Sequence, residues 1–340
     1  MAASPQPPLT RSRQHPLVLN LALLALTLVV LAVAVELGLR ISGYHFRLYP
    51  ETIEFGAPDP VMLESGFVSD RDLFWVTKDY QAKLARYRRE RPRLIFLGDS
   101  VTDLGHYDQA LAERLAARTG RRLSYGNLGV AGWSSYQGRQ QLARDVVPLA
   151  PAVVSLAFGW NDHWIGFGVT DQQVAAIHHG ATGGALEALR TVQLFTQARL
   201  ALAGRRGAFP NRVPIADFRA NLRAMVETAR AHGMVPMLVT AASNHVPGHE
   251  PAYLGDRWLR DLHELVPLHR AYVAAVRSTA SSTGAALCDA AARFEALAAS
   301  DRDRRMMADG IHPNAAGDAW LAAVLETCLS DHGLLERVLA

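Results

Sequence analysis

A serine near residue 100 and a histidine near residue 312 have the surroundings that chemistry needs in this 340-residue chain. The serine stands in Gly98-Asp99-Ser100, directly after the apolar run Leu94-Ile95-Phe96-Leu97. The histidine stands in Asp309-Gly310-Ile311-His312, directly before Pro313-Asn314. Between them come Gly132, at the end of Asn127-Leu128-Gly129-Val130-Ala131-Gly132, and Asn161, in Gly159-Trp160-Asn161-Asp162. A nucleophile, a base, a carboxylate to orient the base and two donors for an oxyanion make up the parts of an acyl-transfer site.

Each motif has a plainer reading when taken singly. Ser100 followed by Asp103 resembles a capping box, and His312 could cap a helix that begins with proline. Gly126, Gly129 and Gly132 do not have the spacing of a dinucleotide fingerprint. Asn161 could be an ordinary turn residue. The four in this order outweigh the four apart.

The elements that must position these residues are readable as alternation. From Arg93 onward, short apolar runs alternate with longer amphipathic stretches. Strands are expected at 93–97, 122–126, 152–158, 234–240 and 285–288, and helices at 107–119, 135–147, 182–203, 215–232, 264–282 and 313–330. This pattern predicts a three-layer α/β/α domain around a mostly parallel five-stranded sheet. In such a sheet, reactive groups gather beyond the carboxyl ends of the strands. The first three motifs each follow a strand there. Residues 163–213 are long for a βα connection and read as an insertion, either a lid over the substrate or a decorative subdomain.

Composition narrows the setting. Net charge is +3 and the isoelectric point about 9. Lysine occurs only at Lys78 and Lys83, so the basic charge is arginine. No basic run with interleaved aromatics accompanies it, and no nucleic-acid partner is expected. Cys288 and Cys328 are too few for a disulfide scaffold and read as buried, inert thiols. Pro247 and Gly248 interrupt the helical spacing that His245 and His249 would need to pair on a metal, and His178-His179 read as surface residues. No metal and no cofactor are expected.

Pro16 to Val35 contains only Asn20 and Thr27 as polar side chains. At 1.5 Å per residue it makes roughly 30 Å of helix, enough to cross a bilayer. A cleaved signal peptide ending at Ala32-Val33-Ala34 is the alternative; the length of the run favours a retained anchor. Arg11 and Arg13 before the span, and Arg40 and Arg47 after it, give little charge asymmetry. The short leading tail places the N-terminus in the cytoplasm. The expected organisation is a disordered tail (1–15), a single transmembrane helix (16–39), a juxtamembrane connector (40–90) with a solvated charged helix from Lys78 to Arg91, and a catalytic domain (91–335) outside the cytoplasmic membrane.

With its motifs in that order, the chain resembles the SGNH hydrolases, also called GDSL esterases, over about residues 91–333. Four sequence blocks supply serine, glycine, asparagine and histidine in that family. The resemblance implies Ser100 as nucleophile, His312 as base and Asp309 as its partner. It implies the Ser100 and Gly132 backbone N–H groups and the Asn161 amide as the oxyanion hole. Asp99 and Asp162 are expected to fix turns. Two departures stand out: Val101 replaces the leucine of the GDSL signature, and Thr102-Asp103-Leu104-Gly105 carries one residue more before its glycine than many members have. Trp133, Trp164 and His245 are candidate substrate contacts, whereas Trp160 reads equally well as core. The expected substrate is a small-molecule or glycan ester, foremost an O-acetyl group on envelope polysaccharide. A lipase or lysophospholipase, an acyltransferase using the same triad, and an anchored binding module with a retired site are the alternatives; the sequence names no protein partner.

Overall fold

The computed structural model describes residues 14–49, 52–55, 61–64, 66–181, 184–205, 209–255 and 258–340. Most of the expected N-terminal tail, with Arg11 and Arg13, and the connector prolines Pro50, Pro58 and Pro60 lie outside them. The chain forms two compact units, Met1–Arg47 with Gly183–Gln197, and Leu48–Thr182 with Ala198–Ala340.

In the first unit, the apolar run forms helix α1 (Gln14–Ile41), with every leucine and valine from Leu17 to Leu31 more than half exposed. A helix that is apolar all round suits a lipid environment. Its last turns are tied down. Glu36 accepts hydrogen bonds from the Arg190 and Thr191 backbone N–H groups at 3.0 and 2.9 Å and from the Thr191 hydroxyl at 3.0 Å. Arg40 donates to the Ala188 carbonyl at 3.1 Å, and the Tyr44 hydroxyl meets Gln197 at 2.7 Å. The orphan N–H groups that open any helix are thus satisfied here by a carboxylate 154 residues earlier in the chain.

The second unit begins with two antiparallel hairpins, β1 (Thr52–Phe55) with β2 (Val61–Glu64) and β3 (Phe67–Asp70) with β4 (Phe74–Thr77). Helix α2 (Tyr80–Glu90) follows; it is not merely a solvated face. Tyr80, Leu84 and Tyr87 form a buried stripe at helical spacing beneath its charges. The parallel sheet consists of β5 (Leu94–Gly98), β6 (Tyr125–Asn127), β7 (Val153–Ala157), β8 (Val235–Val239) and β9 (Ala286–Cys288) in the order β6-β5-β7-β8-β9. Every neighbouring pair in it is parallel.

Helices cover both faces because strands buried on two sides need cover on two sides. Between the strands lie α3 (Ser100–Leu104), α4 (Tyr107–Thr119), α5 (Ser135–Gln141), α6 (Asp171–Ala181), α7 (Arg190–Gly204), α8 (Ile215–Ala231) and α9 (Leu265–Thr283). After β9 come α10 (Ala290–Glu295), α11 (Ala299–Asp303), α12 (Ala315–Asp331) and α13 (Leu335–Val338). Leu94 and Phe96 of β5 join Leu111 and Leu115 of α4 and Leu325 and Leu329 of α12 in one apolar layer. Each such fully buried side chain contributes about 1.5–3 kcal/mol. On the other face, α8 packs against α5, α9 and β8.

Four expectations change. The helix expected at 135–147 stops at Gln141 and continues as a π turn (Leu142–Val146) and a 3-10 turn (Val147–Leu149) with Pro148 inside it. The helix expected at 182–203 is a 3-10 turn (Gly184–Ala188) followed by α7, and a helix not expected from the sequence, α6, precedes them. His178 is buried, edge-on to Phe74 at 5.9 Å, because α6 lies over the β3–β4 hairpin. Cys288 and Cys328 are buried as expected but joined in a disulfide, their Cα atoms 5.4 Å apart. The bond ties the edge strand β9 to α12.

Candidate active site

The sheet places the motifs together. The chain leaves β5 for β6 on one side and returns to β7 on the other, so the strand order reverses about β5. A crevice opens at the carboxyl ends of strands where this happens. Ser100 follows β5, Gly132 follows β6 and Asn161 follows β7. His312 reaches the same edge from the loop before α12.

Asp99 caps α3, its side chain accepting from the Val101 N–H at 3.0 Å, which presents Ser100 as the first helical residue. Asp103, the other half of the suspected capping box, instead accepts from the Ala131 N–H at 2.9 Å. Asn314, not His312, caps α12, accepting from the Ala316 and Gly317 N–H groups. His312 is thereby left without a capping duty.

The Ser100 hydroxyl oxygen lies 2.8 Å from His312 Nε2, and His312 Nδ1 lies 2.6 Å from Asp309 Oδ2. The second Asp309 oxygen accepts from the Ile311 and His312 backbone N–H groups at 2.9 and 3.0 Å. Burial raises the Asp309 carboxyl, but the hydrogen bond from His312, its charge and the two N–H groups outweigh burial and hold it below its ordinary value. A loop of four residues thus supplies a carboxylate and an imidazole already in register.

Gly132 has φ +81°, and a Cβ there would sit 3.2 Å from the Trp75 ring. Only glycine takes this conformation without strain. The Asn161 amide donates one N–H to the Trp133 carbonyl at 3.0 Å, which leaves its other N–H for a ligand.

The three candidate substrate contacts are placed differently from one another. Trp133 is wholly buried, its indole N–H on the Trp75 carbonyl at 2.9 Å, so its ring presents no surface to a ligand. Trp164 stacks with Trp160 at 5.9 Å in an apolar cluster with Leu254 and Ile311, next to His312 in sequence. His245 lies behind the acid–base loop: its Nε2 donates to the Asp309 carbonyl at 2.7 Å and its Nδ1 meets the Ser243 hydroxyl at 3.1 Å. Trp160 is core, stacked at 3.9 Å on His269.

Other residues of the site carry no sequence signal. His269 donates from Nε2 to the Ala241 carbonyl at 3.0 Å, so its Nδ1 must accept from His163 Nε2 at 3.3 Å. Burial pushes His269 down to about 3 and His163 well below the usual imidazole value, so both stay neutral. Trp75 and Arg212, distant in sequence but adjacent in space, each donate to a carbonyl of the Gly132 segment. Among the described residues no group of three or more His, Cys, Asp or Glu side chains is placed to hold a metal.

The family model described as the GDSL-like lipase/acylhydrolase family matches residues 96–320. Solved structures similar in fold include a lipase/acylhydrolase from Enterococcus faecalis, with 17% identity and a TM-score of 0.47 over 71% of this chain and 96% of that one. A GDSL-like lipase from Bacteroides thetaiotaomicron has 16% identity and a TM-score of 0.46 over 75% and 98%. An acetylxylan esterase from Geobacillus stearothermophilus has 18% identity and a TM-score of 0.45 over 69% and 93%. No curated protein matches the sequence.

Proposed function

Since this chain belongs to the GDSL-like lipase/acylhydrolase family and is therefore an ester-hydrolysing enzyme, we propose that Ser100, His312 and Asp309 are its catalytic triad. The observation that carries this is the unbroken hydrogen-bonded line from the Ser100 hydroxyl through His312 to Asp309. His312 Nε2 takes the hydroxyl proton as Ser100 Oγ attacks the ester carbonyl. Asp309 holds the imidazole in the tautomer that leaves Nε2 free to accept and stabilises the imidazolium that forms. The oxyanion is received by the Ser100 and Gly132 N–H groups and by the free Asn161 N–H, each donor worth about 10²–10³ in turnover. His312 returns the proton to the leaving alcohol, and an acyl ester on Ser100 remains. Water, deprotonated by His312, then releases the acid.

The substrate we propose is an O-acyl ester, foremost O-acetyl, on an envelope glycan. The half-buried indole of Trp258, 6.1 Å from the buried Trp164 in the cluster with Val101 and Ile311, supplies a ring suited to a sugar face. The enzyme is read as retained in the cytoplasmic membrane by α1, with the site outside the cytoplasm. The contacts from Glu36, Arg40 and Tyr44 support retention, because the end of α1 is built into a folded unit. One observation favours a second reading, a lipase: Phe167, Leu202 and Phe209, in the 163–213 segment, are exposed.

Hydrolysis of p-nitrophenyl acetate, butyrate and octanoate by the full chain in detergent tests the proposal. Ser100→Ala and His312→Ala should lose nearly all activity. Asp309→Asn should fall by up to about 10⁴, the scale known for a triad aspartate. Activity confined to acetate supports deacetylation, whereas preference for octanoate selects the lipase. Retention of most activity by Ser100→Ala would sink the assignment of the nucleophile.

A further inference from the structure

The Gly132 segment is gripped in part from outside the region that the family match covers. Three successive carbonyls each receive a side-chain donor. The Trp75 indole N–H donates to Ala131 O at 3.0 Å, an Arg212 guanidinium N–H donates to Gly132 O at 2.6 Å, and the Asn161 amide donates to Trp133 O at 3.0 Å. Asn161 is one of the expected site residues; Trp75 and Arg212 are not. Trp75 belongs to the β3–β4 hairpin, before residue 96 where the family match begins, and Arg212 closes the 163–213 insertion.

The two are themselves held. Trp75 and Trp133 exchange contacts, the Trp133 indole N–H donating back to Trp75 O at 2.9 Å. Arg212 lies 5.8 Å from the Trp75 ring centroid and forks onto Asp171 at 3.0 and 2.9 Å. Asp171 also accepts from the Ser134 hydroxyl at 2.7 Å. Arg212 and Asp171 are both nearly buried. A paired, buried guanidinium keeps a fixed geometry, which an exposed one does not.

The covalent wiring says what this grip does. Ala131 O and Gly132 N belong to one peptide plane. A donor on the carbonyl fixes the orientation of that plane and polarises it, so that its N–H becomes a stronger donor. Arg212 fixes the next plane, which sets the turn at Gly132. We infer that Trp75 and Arg212 are positioning residues for the Gly132 oxyanion donor, so that the N-terminal hairpin and the insertion complete a site the hydrolase core leaves loose. The inference rests on the proposed reading of Gly132 as an oxyanion donor.

Replacement of Trp75 by benzothienylalanine changes only the indole N–H, to sulfur, and leaves the packing in place. Arg212→Gln and Trp75→Phe provide the second and third variants. With the full chain in detergent and p-nitrophenyl acetate, each should lower kcat about tenfold or more, a part of the 10²–10³ that a direct donor supplies. KM should stay within about twofold, because the donor acts in the transition state. Fluorophosphonate labelling of Ser100 should slow in parallel, since the phosphonyl oxygen occupies the same hole. A purely structural role would lower the melting temperature and leave kcat of the folded fraction unchanged, and that result overturns the inference. So does a raised KM at constant kcat, which would make the two residues substrate contacts. A wild-type chain that neither hydrolyses the ester nor labels at Ser100 overturns the proposed function and this inference with it. An active, labelled wild type with unaffected variants overturns the inference alone.

Discussion

Three aspartates lie in the loops around Ser100, and their surroundings pull them apart. Asp309 is held below its ordinary value by His312 and two N–H groups in spite of burial. Burial lifts Asp99 to about 6 and Asp162 to about 7, against an ordinary 3.8. Only Asp309 meets the His312 ring; the other two serve as turn acceptors, Asp162 taking the Ser135 N–H at 2.9 and 3.1 Å. The pH dependence of stability follows from the sign. A carboxyl raised in the folded chain favours folding while protonated, so its contribution is full below about 3.8 and lost once pH has passed about 7. Asp162→Asn cannot ionise. Its melting temperature relative to wild type should therefore improve from pH 4 to about pH 7 and level off above it. A difference independent of pH across that window would show that Asp162 titrates normally.

Among the elements, α7 depends most on a distant residue, because Glu36 of α1 satisfies its opening N–H groups. Losing the carboxylate that holds these N–H groups should fray the first turn. Glu36→Ala should speed tryptic cleavage at Arg190 several-fold in the detergent-solubilised chain, with Glu36→Gln partly protected; equal rates would mean the turn is held otherwise. Such long-range ties mark where the sequence stops being readable. The strands at Leu94–Gly98 and Val153–Ala157 were legible because unbroken apolar runs suit strands buried on both faces. Asp309 and His312 were legible because a four-residue loop carries both. The stripe Tyr80, Leu84, Tyr87 had a readable period that the arginines around it concealed. Trp75 and Arg212 had none: a hydrogen bond from residue 75 to residue 131, or from 212 to 132, follows no local spacing. The disulfide was hidden for the same reason, since apolar surroundings are equally typical of buried thiols.

At the scale of the whole molecule, that disulfide and α1 bear on the same question, which side of the membrane the site faces. A disulfide persists in the periplasm or outside the cell, whereas the cytoplasm keeps thiols reduced. Cys288 and Cys328 are 40 residues apart and lie C-terminal to the apolar helix. In the anchored topology proposed above, with the N-terminus inside, everything after α1 would emerge on the oxidising side. Closing a loop of that length stabilises a fold by about 2–4 kcal/mol, so the bond also matters to a domain whose edge strand β9 spans only Ala286–Cys288. The two sulfurs are buried, and thiol titration therefore needs denatured chain. Membranes from expressing bacteria, denatured and alkylated without reductant, should yield both cysteines unmodified, and reduction should expose both. The double variant Cys288→Ser with Cys328→Ser should unfold earlier in urea by that same 2–4 kcal/mol. Protease added to spheroplasts should digest the domain while α1 stays in the membrane fraction. Free thiols in native membranes, together with a domain protected in spheroplasts, would place the esterase in the cytoplasm and remove exported glycan from its substrates.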